Sequence, residues 1–459
     1  MKILYTTHQF YPDFGAGTEL LTYMTADHVR KRGHSVRIVT GCPLMDRKKS
    51  GAIFDEYTYN ELSVHRYRHS SFDPTENQCI MEAEHCNKTV QKWFQNILQK
   101  FKPDLVHVFH LQRLSAGILE TCYQNGVPFI ITTTDFWMVC PTTQLLLPDN
   151  TLCLGPHYMM ANCVKHLSQK TSNTAVRYLV SLLPESFIRG MIHFLNKIPR
   201  IRIGPFRNIF ALTKRPEYVI GQINRARCVL VTNHFMKKML EKHGMRSNII
   251  KLMPFGIEPI NPLKDDLKRD YDTLNIGFIG TLNFHKGVHV PIKALRALPQ
   301  SVKIQLKIYG SREQFPEYVS LLDKTIANDT RISFLGTFEP DRIGTVLQGI
   351  DILVIPSLWY ENTPLILHQA QAAKVPVIAT DLGGMNEMIE DGKNGFLIKP
   401  GQDKELATLF DHLASNPERI DLLRQHIRAP LFIDEYANRL ETLYSNICAV
   451  KERKPIHEC

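Results

Sequence analysis

The stretch that most constrains this chain is 351–398, DILVIPSLWYENTPLILHQAQAAKVPVIATDLGGMNEMIEDGKNGFLI. The apolar run Ile352 to Ile355 is too short for a helix and reads as a strand buried on both faces. It leads into a loop holding Glu361, and a helix is predicted to open at Thr363-Pro364, with Thr363 as N-cap and proline suited to the first turn. A second strand follows from Val375 to Ala379. The chain then turns at Asp381-Leu-Gly-Gly384, where another short helix is predicted near 383–385. Two strand–loop–helix units in succession set two groups of unpaired backbone N–H at one edge of a parallel sheet, a place suited to phosphate.

A chain of 459 residues exceeds one ordinary core, so two domains of about 200 residues each are expected. The first begins with a βαβ unit: strand Lys2 to Thr6, a loop with Gly15 and Gly17, a helix from about Glu19 to Arg32 closed by Gly33, and strand Val36 to Thr40. Gly15 and Gly17 permit close backbone approach to a ligand. The dinucleotide fingerprint fails, because no third glycine follows at its spacing and no acid ends the second strand, so an oxidoreductase reading loses its support.

Residues 52–70 read as short antiparallel or edge strands and 75–101 as helical. Strand Leu105 to Phe109 leads to His110, and strand Phe129 to Thr133 leads to Asp135. Both polar residues stand just past the carboxyl ends of strands, where open α/β sheets hold ligands. Late strands at Val229 to Thr232 and Ile250 to Met253 close the first half. The proline-bearing, charged stretch 255–274 reads as a linker. The α/β alternation then restarts with strands at 276–280, 305–309 and 332–335. The chain beyond about 403 is helical, and 431–450 forms a last helix that could reach back to the first domain.

The composition, 44% hydrophobic and 22% charged, is that of a soluble globular protein. No apolar run approaches the roughly 18 residues of a membrane span. The start, MKILYTTHQFYPDF, lacks a long apolar core or cleavage site, so a cytoplasmic protein with reduced thiols is expected. Cys140, Cys153, Cys163 and His166 could form a structural zinc site, the last two being spaced Cys-x-x-His, or could pack as reduced thiols in a loop core.

The net charge of +10 is concentrated between Lys165 and Arg215, where ten Lys or Arg face one acid, Glu185. Leu179, Leu182, Leu183, Phe187, Ile188, Met191, Ile192 and Leu195 recur there at helical spacing. Such a basic amphipathic pair suits an anionic membrane surface, giving peripheral attachment on the inner face, or a helical lid packed on the protein. Nucleic acid is not expected as a partner, because aromatic residues are few in this stretch.

In the second half, Gly280-Thr-Leu-Asn-Phe-His-Lys286-Gly287, then Glu361 with Thr363, then Gly383-Gly384 all fall at strand ends. A lysine on a glycine-flanked turn supplies a compact positive charge for a diphosphate, and a carboxylate can accept hydrogen bonds from sugar hydroxyls. Together they suit a nucleoside diphosphate carrying a polyol.

With these segments, and with FGAGTELLTYMTADHVRKRGHSVRIVTG, PDLVHVFHLQRLS, TTTDFWMVCPTTQLLLPDNTLC and NIGFIGTLNFHKGV, the chain resembles glycosyltransferase family 4, with a glycosyl transferases group 1 domain at its C-terminal end. The resemblance implies retaining enzymes of the GT-B fold, two Rossmann-like α/β domains facing across a cleft. The implied division is 1–258 for an acceptor-side domain with its basic insertion near 165–215, 259–430 for a nucleotide-sugar domain, and 431–459 for a helix crossing back. It also implies that Lys286 holds the donor diphosphate, helped by backbone groups at Gly17, Gly280, Gly383, Gly384 and Thr363, Pro364 and Leu365. Glu361 would lie near the transferred sugar, Gln369 near the donor ribose, and Asp135 and His110 on the acceptor side. The implied partners are a nucleotide-sugar donor and a polysaccharide or lipid-linked glycan acceptor, with no metal and no further cofactor. Five positions depart from the family pattern. Gln369 stands where a second glutamate is usual, Thr281 where a basic residue is, Thr134 where a histidine is, and Ala16 and Lys374 where glycines are. These departures keep a second expectation open, a catalytically silent relative that binds a nucleotide or glycan.

Overall fold

The structure is a computed structural model describing residues 1–43, 53–69, 78–169, 174–197, 206–260 and 272–451. Lys170, Arg200 and Arg202 of the basic stretch, and 261–271 of the linker, lie outside the described residues. The chain divides into two compact units, one of residues 1–232, 236–254 and 433–459, the other of 233–235 and 255–432. The division thus falls four residues earlier than the sequence suggests at the linker, and two later before the last helix.

The first unit follows the predicted alternation through β1 (Lys2–Thr7), α1 (Gly17–Lys31), β2 (Ser35–Pro43), β3 (Ile53–Tyr59) and β4 (Leu62–His69). It continues with α2 (Ile80–His85), α3 (Lys88–Phe101), β5 (Leu105–Val108), α4 (Gly117–Gln124) and β6 (Phe129–Thr132). Four helices come next: α5 (Ala161–Ser168), α6 (Thr174–Leu182), α7 (Glu185–Asn196) and α8 (Phe206–Ile223). Then come β7 (Cys228–Val231), α9 (His234–Lys242) and β8 (Ile250–Leu252). The strands form one sheet in the order β3-β4-β2-β1-β5-β6-β7-β8, all parallel except the β3–β4 hairpin at its edge. The central strands β5, β6 and β7 are buried at every residue, which is why their sequences are continuous apolar runs rather than alternations. The predicted helix over 75–101 is broken at Cys86-Asn87, because the Asn87 side chain accepts from the Val90 N–H and caps α3 afresh.

The second unit runs β9 (Leu274–Ile279), α10 (His289–Arg296), β10 (Ile304–Tyr309), α11 (Pro316–Ile326), β11 (Ile332–Gly336), α12 (Ile343–Gln348) and β12 (Ile352–Ile355). It ends with α13 (Leu365–Ala372), β13 (Val377–Thr380), β14 (Gly395–Ile398), α14 (Asp403–Ser415) and α15 (Glu418–Gln425). Its sheet is parallel throughout, in the order β11-β10-β9-β12-β13-β14. One face packs Ile276, Phe278, Ile304, Leu306 and Val354 against α10 and α14; the other packs Leu353, Ile355 and Val377 against α12 and α13. From β9 the chain first builds outward through β10 and β11, then returns to the other side of β9 with β12. The C-terminal ends of β9 and β12 therefore flank a topological switch point, where open α/β sheets leave a crevice.

The last helix, α16 (Ile433–Lys451), belongs to the first unit. Arg32, beside the end of α1, donates to Glu441 at 3.0 Å, and Tyr444 Oη meets His107 Nδ1 at 2.6 Å in the middle of the first sheet.

Candidate active site

In the second unit, three loops converge at the switch point. The loop after β9 makes a single tight turn over Phe284–Lys286 and ends at Gly287, whose φ is +73°. A Cβ at Gly287 would overlap the Pro356 carbonyl oxygen, so only glycine lets this loop lie against the loop after β12. The Leu358 N–H donates to the His285 carbonyl at 2.8 Å and ties the two loops together. This close packing delivers Lys286 Nζ to within 2.7 Å of Glu361 Oε1. The same carboxylate oxygen accepts from Ser357 Oγ at 2.8 Å and from Trp359 Nε1 at 2.7 Å. The ammonium also lies 5.1 Å from the centre of the Trp359 ring, a cation–π contact.

Burial pushes the Glu361 carboxyl upward, but the Lys286 charge and the hydrogen bonds from Lys286, Trp359 and Ser357 outweigh it and hold the group below its ordinary range. His285, beside it, is pushed down to about 4 by burial and then by the Lys286 charge, so it is neutral at pH 7. The site therefore carries one cation and one anion, both partly withdrawn from water.

The third loop, after β13, differs from expectation. No helix opens near 383–385: the chain runs in turns from Gly383 to Met388 and reaches β14 at Gly395. Gly383 has φ +61°, a Cβ on Gly384 would overlap the Asn362 carbonyl, and the Gly384 N–H donates to the Glu361 carbonyl at 3.0 Å. The two glycines are there to brace the Glu361 loop, and the second helix dipole expected from the sequence is absent. Thr363 is not an N-cap either. Pro364 takes that position, and the Thr363 hydroxyl donates to the Asn362 carbonyl at 2.7 Å while accepting from Asn233 Nδ2. The first-turn N–H groups at Leu365 and Ile366 have no acceptor inside α13. Gln369 lies one turn further along, half-buried, with no side-chain hydrogen bond among the described residues. Gly280 follows β9 directly, with its N–H on the Tyr309 carbonyl, and Thr281 comes next. Lys374 has φ +57°, the left-handed region that favours glycine.

The first unit has its own cluster at the ends of β1, β5 and β6. His110 Nδ1 accepts from the Gln112 N–H at 3.0 Å, so its proton sits on Nε2, which lies 2.6 Å from Asp135 Oδ2. Asp135 Oδ1 accepts from the Trp137 N–H at 2.8 Å. Two residues that sequence reasoning passed over complete the cluster. The His8 ring lies 4.3 Å from the His110 ring, and His8 Nε2 is 3.3 Å from Glu19 Oε1. Burial, then His110 and Arg113, hold His8 well below its ordinary value, and burial raises Glu19. The available signal was Glu19 two residues after Gly17, a carboxylate in the first turn of a helix that follows a glycine loop. Gly17 itself is the first residue of α1, with Ala16 as N-cap. Thr134 donates to the Phe109 carbonyl at 3.0 Å.

Cys140, Cys153, Cys163 and His166 line one small cavity. Among the described residues, however, no three His, Cys, Asp or Glu side chains are arranged to hold a metal ion. Cys140 Sγ lies 3.2 Å from Thr142 Oγ1, Cys153 donates to the Gly155 carbonyl, and burial raises the thiols of Cys153 and Cys163. The three cysteines pack in a loop core, with Cys140 and Cys163 buried.

Comparison with known proteins places this geometry. Residues 260–429 match the family "Glycosyl transferases group 1". The D-inositol 3-phosphate glycosyltransferase of Corynebacterium urealyticum is 28% identical over 193 residues, 39% of this chain and 45% of that protein. The chain thus spans less than half the length of that curated relative. Sucrose-phosphate synthase from Thermosynechococcus elongatus superposes with a TM-score of 0.65 at 16% identity, over 98% of this chain and 99% of that one. Anabaena HepE, solved in complex with UDP and glucose, gives 0.59 at 16% identity over 98% and 99%. The chain has the GT-B fold, and its residues 260–429 match the glycosyl transferases group 1 family.

Proposed function

We propose that this protein is a retaining glycosyltransferase that moves a hexose from a nucleoside-diphosphate sugar to a polysaccharide or lipid-linked glycan on the cytoplasmic side of a membrane. The observation that carries this reading is the Lys286–Glu361 pair, 2.7 Å apart at the switch point of a parallel sheet. The first-turn N–H groups of α13, which have no acceptor inside the helix, follow in the same loop. The nucleotide complex of HepE supports the donor class.

In this reaction the diphosphate leaves the anomeric carbon with the bonding electron pair, through an oxocarbenium-like state. The acceptor hydroxyl oxygen bonds to that carbon on the same face, and its proton goes to the departing phosphate oxygen. Lys286 and the α13 amides stabilise the charge that develops on the diphosphate, an effect worth several kcal/mol in a site that excludes water, and need no metal ion. Glu361 accepts hydroxyl hydrogen bonds from the sugar once Lys286 turns to phosphate. His110 and Asp135 line the acceptor side.

Gln369 favours a second reading. An amide keeps one acceptor oxygen where a carboxylate would take both ribose hydroxyls, which suits a relative that binds without turnover. Calorimetry with UDP-, GDP- and ADP-hexoses, run beside transfer and donor-hydrolysis assays, separates the two. Lys286→Ala is expected to abolish transfer nearly completely in a folded protein; full activity in that variant overturns the assignment, and tight donor binding without turnover in the wild type selects the silent relative.

A further inference from the structure

We infer that the outer face of the α6–α7 hairpin is a docking surface for an anionic lipid bilayer. The hairpin is apolar on two sides. Its inner side is fixed to the first unit: Ile188 and Ile192 are buried against Met160, Cys163, Val164 and Leu212. Its other side leaves Tyr178, Leu179, Leu182, Phe187 and Phe194 each 57–64% exposed. Tyr178 and Leu179 stand four and three residues before Leu182, so the three share one stripe of α6, and Phe187 and Phe194 are two turns apart on α7. A globular surface rarely gathers five large apolar side chains on adjoining helices unless something covers them.

Charge identifies what does. Apart from Lys165, which donates to the Leu183 carbonyl at 3.1 Å, the described cations of the basic stretch divide into two sets. Arg207 pairs with Glu82, Lys214 with Glu217, and Arg215 is buried on Glu84 and the Trp137 carbonyl, so these three serve the protein's own acids. Arg177, Arg189 and Lys197 are exposed on or just beyond the same two helices as the apolar stripe. The hairpin's one acid, Glu185, is engaged by His157 at 2.7 Å. Apolar side chains flanked by unopposed cations match the boundary of an anionic bilayer, where the stripe enters the acyl region and the cations meet lipid phosphates. A second copy of the chain would bring like charges together, and a nucleic acid would give the leucines nothing to bury against. Among the described residues no helix is long and apolar enough to cross a membrane, so the hairpin lies on the surface. The surface stands without the transfer reaction; where that reading also holds, it narrows the acceptor to one carried in the lipid.

The test is co-sedimentation of the full chain with vesicles of phosphatidylcholine alone or mixed with phosphatidylglycerol, at low and high salt and without donor. Wild type is expected to bind the mixed vesicles and to release them in high salt. The variant L179S/L182S/F187S/F194S is expected to lose binding at least tenfold. Each cation near an anionic surface is worth roughly fivefold, so R177Q/R189Q/K197Q should lose about a hundredfold together with most of the salt dependence. All substituted side chains are exposed, and an unchanged melting temperature verifies that both variants fold. Equal binding to neutral vesicles, or wild-type binding by either variant, overturns the proposal. So does a wild-type dimer that the apolar variant dissolves, which would assign the face to a second copy. Because no sugar enters the assay, a failure of glycosyl transfer is read separately.

Discussion

Lys286 Nζ and Glu361 Oε1, 75 positions apart in sequence, lie 2.7 Å from one another, and the Glu361 side chain is only 8% exposed. Removing the ammonium leaves a buried carboxylate with only neutral donors. Lys286→Met is therefore expected to destabilise the second unit by roughly 3–5 kcal/mol in urea unfolding at pH 7. Glu361→Gln should cost less, because an amide can still accept from Ser357 or Trp359. The folded-state value of Glu361 is depressed, so its stabilisation is complete above the ordinary carboxylate value of 4.5 and is lost as pH falls through the folded value. The stability gap between wild type and Glu361→Gln should narrow in that acid window, and a gap independent of pH would contradict the ion pair.

His368 also costs stability in acid, but from a neutral buried ring rather than a buried charge. It is 3% exposed on α13, both ring nitrogens lack partners, and burial pushes it down to about 4. The unfolded chain takes a proton near pH 6.5 while the folded chain refuses it until about pH 4, so stability drops as pH is lowered across that window. The slope for one such group approaches about 1.4 kcal/mol per pH unit. His368→Leu removes that slope and an unsatisfied polar ring together. It should be neutral to stabilising at pH 7 and increasingly stabilising toward pH 5, measured by urea midpoints; a variant that loses stability in parallel with wild type would refute this.

Gly287 and Gly336 have the same φ of +73° but different surroundings. A Cβ at Gly336 meets open space, whereas at Gly287 it would overlap the Pro356 carbonyl. Gly336→Ala should cost only the left-handed penalty, about 1–2 kcal/mol. Gly287→Ala must push apart the loops that bring Lys286 to Glu361, so it should cost more in thermal unfolding. It should also weaken donor binding by calorimetry, which Gly336→Ala leaves unchanged.

The elements that the sequence reveals are those whose signal is local. Ile352–Ile355, Leu105–Val108 and Phe129–Thr132 are buried on both faces and read directly as apolar runs. Gly33, with φ +90°, marks the end of α1. What escapes local reading depends on contacts between distant segments. The glycines at 383–384 look like a helix start until the Glu361 and Asn362 carbonyls are seen against them. His8 is an ordinary loop residue until the fold sets its ring beside His110 and its Nε2 near Glu19. The cysteine spacing brings the four residues to one cavity, but only the folded arrangement shows that, among the described residues, no three His, Cys, Asp or Glu side chains could hold a metal ion. Likewise, the pattern of α16 shows a helix and does not say which core it covers; Tyr444 on His107 decides that.

The same dependence on paired contacts governs Asp135. Its two oxygens accept from different donors, His110 Nε2 at 2.6 Å and the Trp137 N–H at 2.8 Å. Asparagine has one acceptor oxygen, so Asp135→Asn leaves one of these donors unsatisfied or turns an N–H against Nε2–H. The expected stability loss is about 1–3 kcal/mol. If these residues line the acceptor side, transfer should fall by about 10²-fold or more while donor affinity, which the proposed function assigns to the other unit, stays unchanged. Calorimetric titration with the donor beside initial-rate measurements over a range of acceptor concentrations reads both. A variant that loses donor binding and transfer together would remove His110 and Asp135 from the acceptor side and leave them a structural pair.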